Sequence, residues 1–321
     1  MKAITYHEYG PPDVLSWADR ERPVPRAGEV LMRVEAASLN QADLFMMRGT
    51  PRLGRLAFGL RRPRRPVLGR AAAGTVVETG PGVSELQAGD EVFGELDQGA
   101  FAEYAVAPVR RLTRKPATVT FEQAATLPVA ATTALQGVRL TGAGPGSRLL
   151  VNGASGGVGT FAVQLAKAAG AHVTGVCSTR NAELVRSIGA DRVVDYTRED
   201  VTHGEERFDA VFDLVNSHPL AVMRRILTPA GTYVGSSGNG GPVLGPMPRV
   251  LAAAVLSPFV RQRLRSLVAT ADTADAAEVA ALVAAGTVTP VIEATRPLRE
   301  AVDAIRQLER AHARGKVVLT P

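Results

Sequence analysis

Three glycines in the spacing Gly153-x-x-Gly156-x-x-Gly159 are the residues of this chain best placed to do chemistry. They follow an apolar run, Leu149-Leu150-Val151, and precede an apolar stretch that reaches Ala169, so the order is strand, tight turn, helix. Glycine is needed where a turn is too tight for a Cβ and where backbone must approach a pyrophosphate closely. Behind the turn, a helix N-terminus offers unpaired N–H groups and the positive end of its dipole to an anion. A plain tight turn also uses glycine. The strand–turn–helix context selects instead a dinucleotide phosphate site formed by Asn152, Gly153, Ala154, Ser155, Gly156, Gly157, Val158 and Gly159.

The next strand, 173–176, runs into Cys177-Ser178-Thr179-Arg180. A site for NAD usually places a carboxylate here to bond the adenosine ribose hydroxyls. Two hydroxyls and a guanidinium are the groups that satisfy a 2′-phosphate, so Ser178, Thr179 and Arg180 point to NADPH. The plain alternative is a surface arginine beside a helix-capping serine. Cys177 is the only cysteine and reads as a small neutral filler; there is no disulfide and no thiolate cluster for zinc. His7, His172, His203, His218 and His312 are scattered without ligand spacing. No metal site is expected.

These groups need elements to hold them, and 321 residues suffice for two domains. Short strands with Gly/Pro turns fill 1–119: 2–6, 14–17, 29–37, 74–79, 90–93 and 101–106, with a helical segment at 43–48. They predict a small, largely antiparallel, barrel-like domain. Pro51, Pro63 and Pro66 are expected to break any regular element in the arginine-rich loop between. From 120 to 271 strands alternate with helices, the mark of a parallel sheet covered on both faces: strands 149–152, 171–176, 192–194, 208–214, 232–234 and 264–269, helices 158–169, 181–188, 219–227 and 251–256. The remaining 272–321, with a helix at 276–285, a strand pair, a helix at 298–312 and a last strand at 316–319, is too short for its own domain and is expected to return to the first.

The net charge of +6 is almost all arginine, concentrated locally at Arg48, Arg52, Arg55, Arg61, Arg62, Arg64 and Arg65. With little aromatic interleaving and no nucleic-acid fold around it, this stretch reads as a solvated loop or anion-attracting rim, and neither a nucleic-acid nor an anionic-membrane partner is expected. The apolar stretches are too short to span a bilayer and no signal-length run opens the chain, so a cytoplasmic protein without membrane partner is expected.

The chain resembles the medium-chain dehydrogenase/reductase superfamily, in its zinc-independent quinone oxidoreductase-like branch. The resemblance rests on Asn40-Gln41-Ala42-Asp43, Leu68-Gly69, Ala73-Gly74-Thr75-Val76-Val77-Glu78-Thr79-Gly80, Gly89-Asp90-Glu91-Val92-Phe93-Gly94 and Ala100-Phe101-Ala102-Glu103-Tyr104. Leu127-Pro128-Val129-Ala130-Ala131-Thr132-Thr133-Ala134, the glycine turn, Gly189-Ala190-Asp191, Asp195-Tyr196 and Gly315-Lys316-Val317-Val318 extend it over nearly all of the chain. It implies an α/β fold: a GroES-like barrel-type catalytic domain (1–119 and 272–321) and a Rossmann doubly wound parallel-sheet domain (120–271), with the active site in the cleft. Where the zinc alcohol dehydrogenases of this superfamily carry ligands, this chain has Asn40, Gly69-Arg70-Ala71 and Val129, and the four-cysteine loop is missing. An arginine cannot replace a member of a tetrahedral N/S set.

The resemblance implies hydride transfer from NADPH to a quinone or to the β-carbon of an α,β-unsaturated ketone or aldehyde. Asn40 would bond the substrate carbonyl, unless it is a structural amide tying the loop at 38–43. Phe45 stands where many quinone reductases place a tyrosine, which puts a side-chain proton donor in doubt, and Phe45, Met46 and Met47 would line an apolar acceptor pocket. Thr133 would lie near the nicotinamide, with Gly235 and Ser236 passing beside it. Tyr196 would cover the adenine or approach the 2′-phosphate, unless it is ordinary edge packing. Asp43 reads as a structural carboxylate or helix cap. The loop at 238–248 and the arginine-rich loop would shape the substrate mouth. The alternatives are a 2-enoyl-thioester reductase, with a phosphorylated carrier favoured by the basic loop, a zinc-free dehydrogenase of secondary alcohols, and a non-catalytic nucleotide- or nucleic-acid-binding protein. A homodimer through the Rossmann sheet edge is expected.

Overall fold

Alternation of Val30, Met32 and Val34 builds the longest strand of the first of two units. In the computed structural model, which describes residues 1–236, 241, 243–245, 247–310 and 314–321, these units are Met1–Thr132 with Ala271–Gly286 and Pro290–Pro321, and Thr133–Thr270 with Thr287–Thr289. The first opens with β1 (Lys2–Thr5), β2 (Ser16–Asp19), β3 (Glu29–Ser38), α1 (Gln41–Arg48) and the short α2 (Arg55–Phe58). It continues through β4 (Ala71–Thr79), β5 (Glu91–Glu95), β6 (Tyr104–Pro108), β7 (Leu112–Arg114) and α3 (Phe121–Thr126).

The second unit holds α4 (Thr132–Thr141), β8 (Arg148–Asn152), α5 (Gly157–Ala168), β9 (His172–Cys177), α6 (Ala182–Ser187), β10 (Arg192–Asp195) and β11 (Phe208–Asp213). It ends with α7 (Leu220–Arg225), β12 (Leu227–Ser236), α8 (Met247–Leu256) and β13 (Arg263–Leu267). The chain then returns to the first unit as α9 (Thr273–Ala284), β14 (Ile292–Pro297), α10 (Ala301–Arg310) and β15 (Lys316–Thr320).

In the first unit β3 is the hub. It pairs antiparallel with β4 along its length, with β6 over residues 29–33 and with β15 at Ala37 and Ser38. The order β14-β15-β3-β4-β5-β7 makes a largely antiparallel sheet around a core that includes Val30, Met32, Leu68, Phe101 and Leu319. In the second unit six parallel strands run in the order β10-β9-β8-β11-β12-β13, the doubly wound arrangement whose order reverses beside β8. Its strands are buried on both faces, as Leu149, Leu150 and Val151 show. The α/β class, with GroES-like and Rossmann components, is the one the sequence implies.

Several local expectations change. The first unit runs to Thr132 rather than 119, because α3 packs on β3 and β4 after a capping box between Thr120 and Gln123. The expected strand at 14–17 is a 3₁₀ turn at Pro12–Val14 followed by β2, since proline at the first turn position favours the turn. The strand expected at 101–106 starts later, at Tyr104, while Phe101 and Ala102 bond singly to β1. In place of a strand pair before α10, the structure has β14. The prolines do not break every element of the arginine-rich loop: a 3₁₀ turn at Arg52–Gly54 and α2 fit between Pro51 and Pro63. Much of the expected loop at 238–248, and His312 with the end of the helix expected at 298–312, lie outside the described residues.

Candidate active site

In the second unit the three glycines have separate reasons. Gly153 has φ +90°, and an added Cβ would lie 2.7 Å from Val215 Cγ2. At Gly159 an added Cβ would fall 2.1 Å from the Gly153 carbonyl oxygen, so the turn closes over the start of α5 only without one. Gly156 differs: the nearest atom to its added Cβ is that same oxygen at an ordinary 3.5 Å, so packing does not demand glycine there. Gly156 precedes α5 without a side-chain cap, and the first-turn amides of Gly157, Val158 and Gly159 have no carbonyl one turn back to bond. A bare backbone surface beside uncapped N–H groups fits a pyrophosphate.

The neighbouring strand ends complete this half. Ser155 and Asn181 join the glycine turn to the start of α6 through Asn181 Nδ2, which donates to Ser155 Oγ at 3.0 Å. Asn181 Oδ1 and Ser178 Oγ are buried and lack hydrogen-bond partners, a pair of orphaned polar atoms beside the expected 2′-position. Thr179 and Arg180 are exposed. Parallel pairing sets Asp195 opposite Cys177, and Thr179 Oγ1 donates to Asp195 Oδ2 at 2.5 Å. The hydroxyls of Thr179 and Thr197 hold the Asp195 carboxyl below its ordinary range. A carboxylate thus does stand near the end of the second strand, supplied by the third and already bonded by Thr179. Tyr196 follows it, with its side chain half exposed and its N–H donating to Cys177 O at 3.1 Å. Burial pushes the Cys177 thiol up to about 11, as suits a filler.

A buried network fixes the carboxyl ends of β8, β11 and β12. Asp213 is fully buried and accepts from Asn152 Nδ2 at 2.8 Å, Asn216 N at 2.8 Å, Tyr233 Oη at 2.9 Å and Arg249 Nη2 at 3.0 Å. Burial and the adjacent Asp213 raise the Tyr233 phenol above its ordinary range. Asn216, at φ +59°, donates through Nδ2 to Ser236 O at 2.8 Å, and so positions the strand end that carries Gly235 and Ser236. Asp213, Asn216, Tyr233 and Arg249 were not anticipated; an apolar strand Phe208–Asp213 ending in a buried carboxylate was the available signal. Thr133 is buried in the first turn of α4.

The first unit holds the other expected group. Asn40 precedes α1, and its amide is pinned on both sides: Nδ2 donates to Ser38 O at 3.0 Å, while Oδ1 accepts from Lys316 Nζ at 2.5 Å. Lys316 Nζ also donates to Leu39 O at 2.6 Å. An amide nitrogen has two hydrogens, so this arrangement leaves Asn40 one N–H to donate. Asn40 thus ties the loop, as one of its two readings expects, and one N–H of its amide is not used in that tie. Asp43 is fully buried and accepts from Asn40 N at 2.8 Å, the role of a helix-start carboxylate.

Burial pushes the Asp43 carboxyl up to about 6, against the pull of the Asn40 N–H, Arg70 and Lys316. Burial also pushes the Lys316 ammonium down to about 7, partly offset by Asp43. Arg70 forms an ion pair with Glu95, so the position of a zinc ligand segment is filled by a guanidinium–carboxylate pair. Lys316, buried against Asn40 and Leu39, is the residue of this cluster that sequence reasoning missed. It is one of four lysines and stands at an inward position of β15, where an ammonium is costly.

Phe45 is half-buried on α1, but Met46 and Met47 are not pocket residues. Both pack in the core of the first unit, because α1 turns Leu44, Met46 and Met47 inward. His7, His172 and His203 are exposed, and His218 Nε2 lies 3.4 Å from Asp200 Oδ2. Among the described residues no group of three or more His, Cys, Asp or Glu could hold a metal ion.

A glycine-cradled dinucleotide site on a doubly wound sheet, with a separate barrel-type unit, defines a nucleotide-linked oxidoreductase. The family signature described as alcohol dehydrogenase GroES-like domain matches residues 26–117, and that described as zinc-binding dehydrogenase matches 188–319. A chloroplast envelope quinone oxidoreductase homolog of Arabidopsis thaliana is 35% identical over 335 aligned positions, which cover 100% of this chain and 98% of that one. The quinone oxidoreductase of Coxiella burnetii superposes with TM-score 0.88 at 30% identity, covering 100% of this chain and 99% of that one. The Escherichia coli quinone oxidoreductase complexed with NADPH superposes with TM-score 0.87 at 25% identity over 100% of both chains. This chain belongs to the medium-chain dehydrogenase/reductase superfamily, in its quinone oxidoreductase-like branch.

Proposed function

We propose that this chain is a zinc-independent, NADPH-dependent reductase of quinones and α,β-unsaturated ketones or aldehydes. The observation that carries the reading is Asn40: pinned by Lys316 and Ser38, it keeps one N–H for an acceptor oxygen. The cradle at Gly156, the first-turn amides of α5 and the orphaned Ser178 Oγ fit a dinucleotide bearing a 2′-phosphate. When bound, NADPH supplies the hydride.

The remaining work falls to side chains. Asn40 donates to the carbonyl oxygen of the acceptor and stabilises the oxyanion that develops there. Lys316, charged and withdrawn from water, polarises the Asn40 amide through Oδ1 and strengthens that donor. Phe45 offers no phenol, and the Tyr6 phenol is buried, bonded by Gln98 and raised to about 12 by burial, so neither supplies the proton. Arg180 and Ser178 would bond the 2′-phosphate, while the Asp195 carboxylate is occupied by hydrogen bonds from Thr179 and Thr197. Thr133, Gly235 and Ser236 would hold the nicotinamide end, and Tyr196 would cover the adenine. The catalytic component is Met1–Thr132 with Ala271–Gly286 and Pro290–Pro321, and the cofactor-binding component is Thr133–Thr270 with Thr287–Thr289. We place the enzyme in the cytoplasm, where its single buried thiol stays reduced.

The test is NADPH consumption, with NADH in parallel, over quinones, enones, enals and enoyl thioesters. Turnover of quinones or enones, unaffected by a chelator and preferring NADPH in a manner that Arg180→Ser weakens, is expected. Turnover confined to enoyl thioesters moves the substrate class, and turnover of nothing overturns the proposal.

A further inference from the structure

The arginine-rich loop is built inside out. Its arginines hold it to the body while its leucines face solvent. Arg55 Nε donates to Gly49 O at 2.8 Å and its guanidinium lies 4.5 Å from the centroid of the Tyr9 ring. Tyr9 Oη donates to Gly59 O at 2.6 Å, and Arg64 Nη1 donates to Ala57 O at 3.2 Å. Gly59 sits at φ +124°, where an added Cβ would lie 2.0 Å from the Arg62 carbonyl oxygen, so the reversal at this point is specified by the sequence. Held this way, Leu53, Leu56 and Leu60 are 48%, 64% and 65% exposed. Arg52, Arg61 and Arg62 are exposed beside them and have no partner among the described residues.

The charge of the molecule is collected in the same place. Residues 48–65 hold seven arginines and no acidic residue, which leaves 30 basic against 31 acidic residues in the rest of the chain. The whole net positive charge therefore belongs to this one segment. Cations interleaved with exposed aliphatic side chains suit a partner that is anionic at its surface and apolar a few ångströms beneath. A polyanion alone would engage the guanidiniums and leave the leucines in water.

We infer that residues 51–65 form a peripheral docking surface for an anionic lipid bilayer, with Leu53, Leu56 and Leu60 entering the interface and Arg52, Arg61 and Arg62 bonding lipid phosphates. No helix among the described residues is long and apolar enough to cross a membrane. The expectation of no membrane partner rested on the short apolar stretches and on reading the arginine-rich stretch as a solvated loop; the exposed Leu53, Leu56 and Leu60 beside its arginines are what the sequence reading left out. The inference is independent of the reaction assigned above.

Vesicle flotation of the full chain tests it, with phosphatidylcholine alone and with phosphatidylcholine mixed with phosphatidylglycerol. The protein is expected to float with the mixed vesicles only, and less so as salt is added. Arg61→Gln with Arg62→Gln is expected to weaken binding by about fivefold per arginine. Leu56→Ser with Leu60→Ser is expected to abolish flotation while leaving retention on heparin and the thermal midpoint unchanged. Absence of binding to mixed vesicles, or equal binding to neutral ones, overturns the inference. Unchanged flotation of the leucine variant also overturns it, and makes the loop a plain polyanion surface for an acidic protein or nucleic acid.

Discussion

Lys316 Nζ reaches Asn40 Oδ1 and Leu39 O from a position only 3% exposed. Burying an ammonium is expensive, and its hydrogen bonds to the Asn40 amide and the Leu39 carbonyl are the return visible here. Its lowered value, about 7, gives the account a pH signature. Below that value Lys316 is charged and polarises Asn40; as pH rises through it the charge is lost and the donor weakens. The turnover number with an enone is therefore expected to fall as pH rises through about 7, with Asp43 the charged neighbour that holds the midpoint up against burial. Lys316→Met is expected to lower turnover ~10- to 100-fold, the worth of hydrogen bonds to a charged group, and to remove that step from the pH profile. A pH–rate profile of both proteins checks this. An unchanged step in the variant would assign it to another group.

At the scale of elements, the glycine turn makes two separable predictions. Gly159→Ala forces a Cβ to within 2.1 Å of the Gly153 carbonyl oxygen and is expected to destabilise the fold by ~1–3 kcal/mol. Gly156→Ala has room at 3.5 Å, so it is expected to keep the thermal midpoint and instead weaken NADPH binding at least tenfold, read by nicotinamide fluorescence. Regular elements were legible where a period was strong: β8, α5 and β9 follow from alternation, a glycine turn and an apolar helix face. The boundary at Thr132 was not, because α3 is held by its packing on β3 and β4 rather than by its own pattern. The same holds for the site. Gly153, Gly156 and Gly159 are visible because local backbone geometry demands or exploits glycine. Lys316 and Asn40 are 276 positions apart and meet only through the pairing of β15 with β3. Asp195 reaches Thr179 only through the register of β10 on β9. Met46 and Met47 misled because α1 turns both into the core of the first unit, a tertiary choice that two neighbouring apolar residues on a short helix do not disclose.

For the whole molecule, the edge strand β13 has Val268 78% exposed at its end, and Phe259, just before it, is 82% exposed. We expect a second copy to cover this edge, so light scattering should give twice the chain mass and Phe259→Glu should shift it to the monomer. The same chain carries a dinucleotide cradle on its parallel sheet and a charged, buried donor pair on its barrel-type unit. Its function as a reductase of activated acceptors rests on both working in one turnover. Steady-state NADPH consumption with an enone, measured for the natural chain and Asn40→Ala beside the NADPH dissociation constant of each, tests that most directly. A turnover number lowered ~100- to 1000-fold with NADPH affinity unchanged is expected, as for loss of an oxyanion donor. A turnover number that Asn40→Ala leaves unaltered would contradict it.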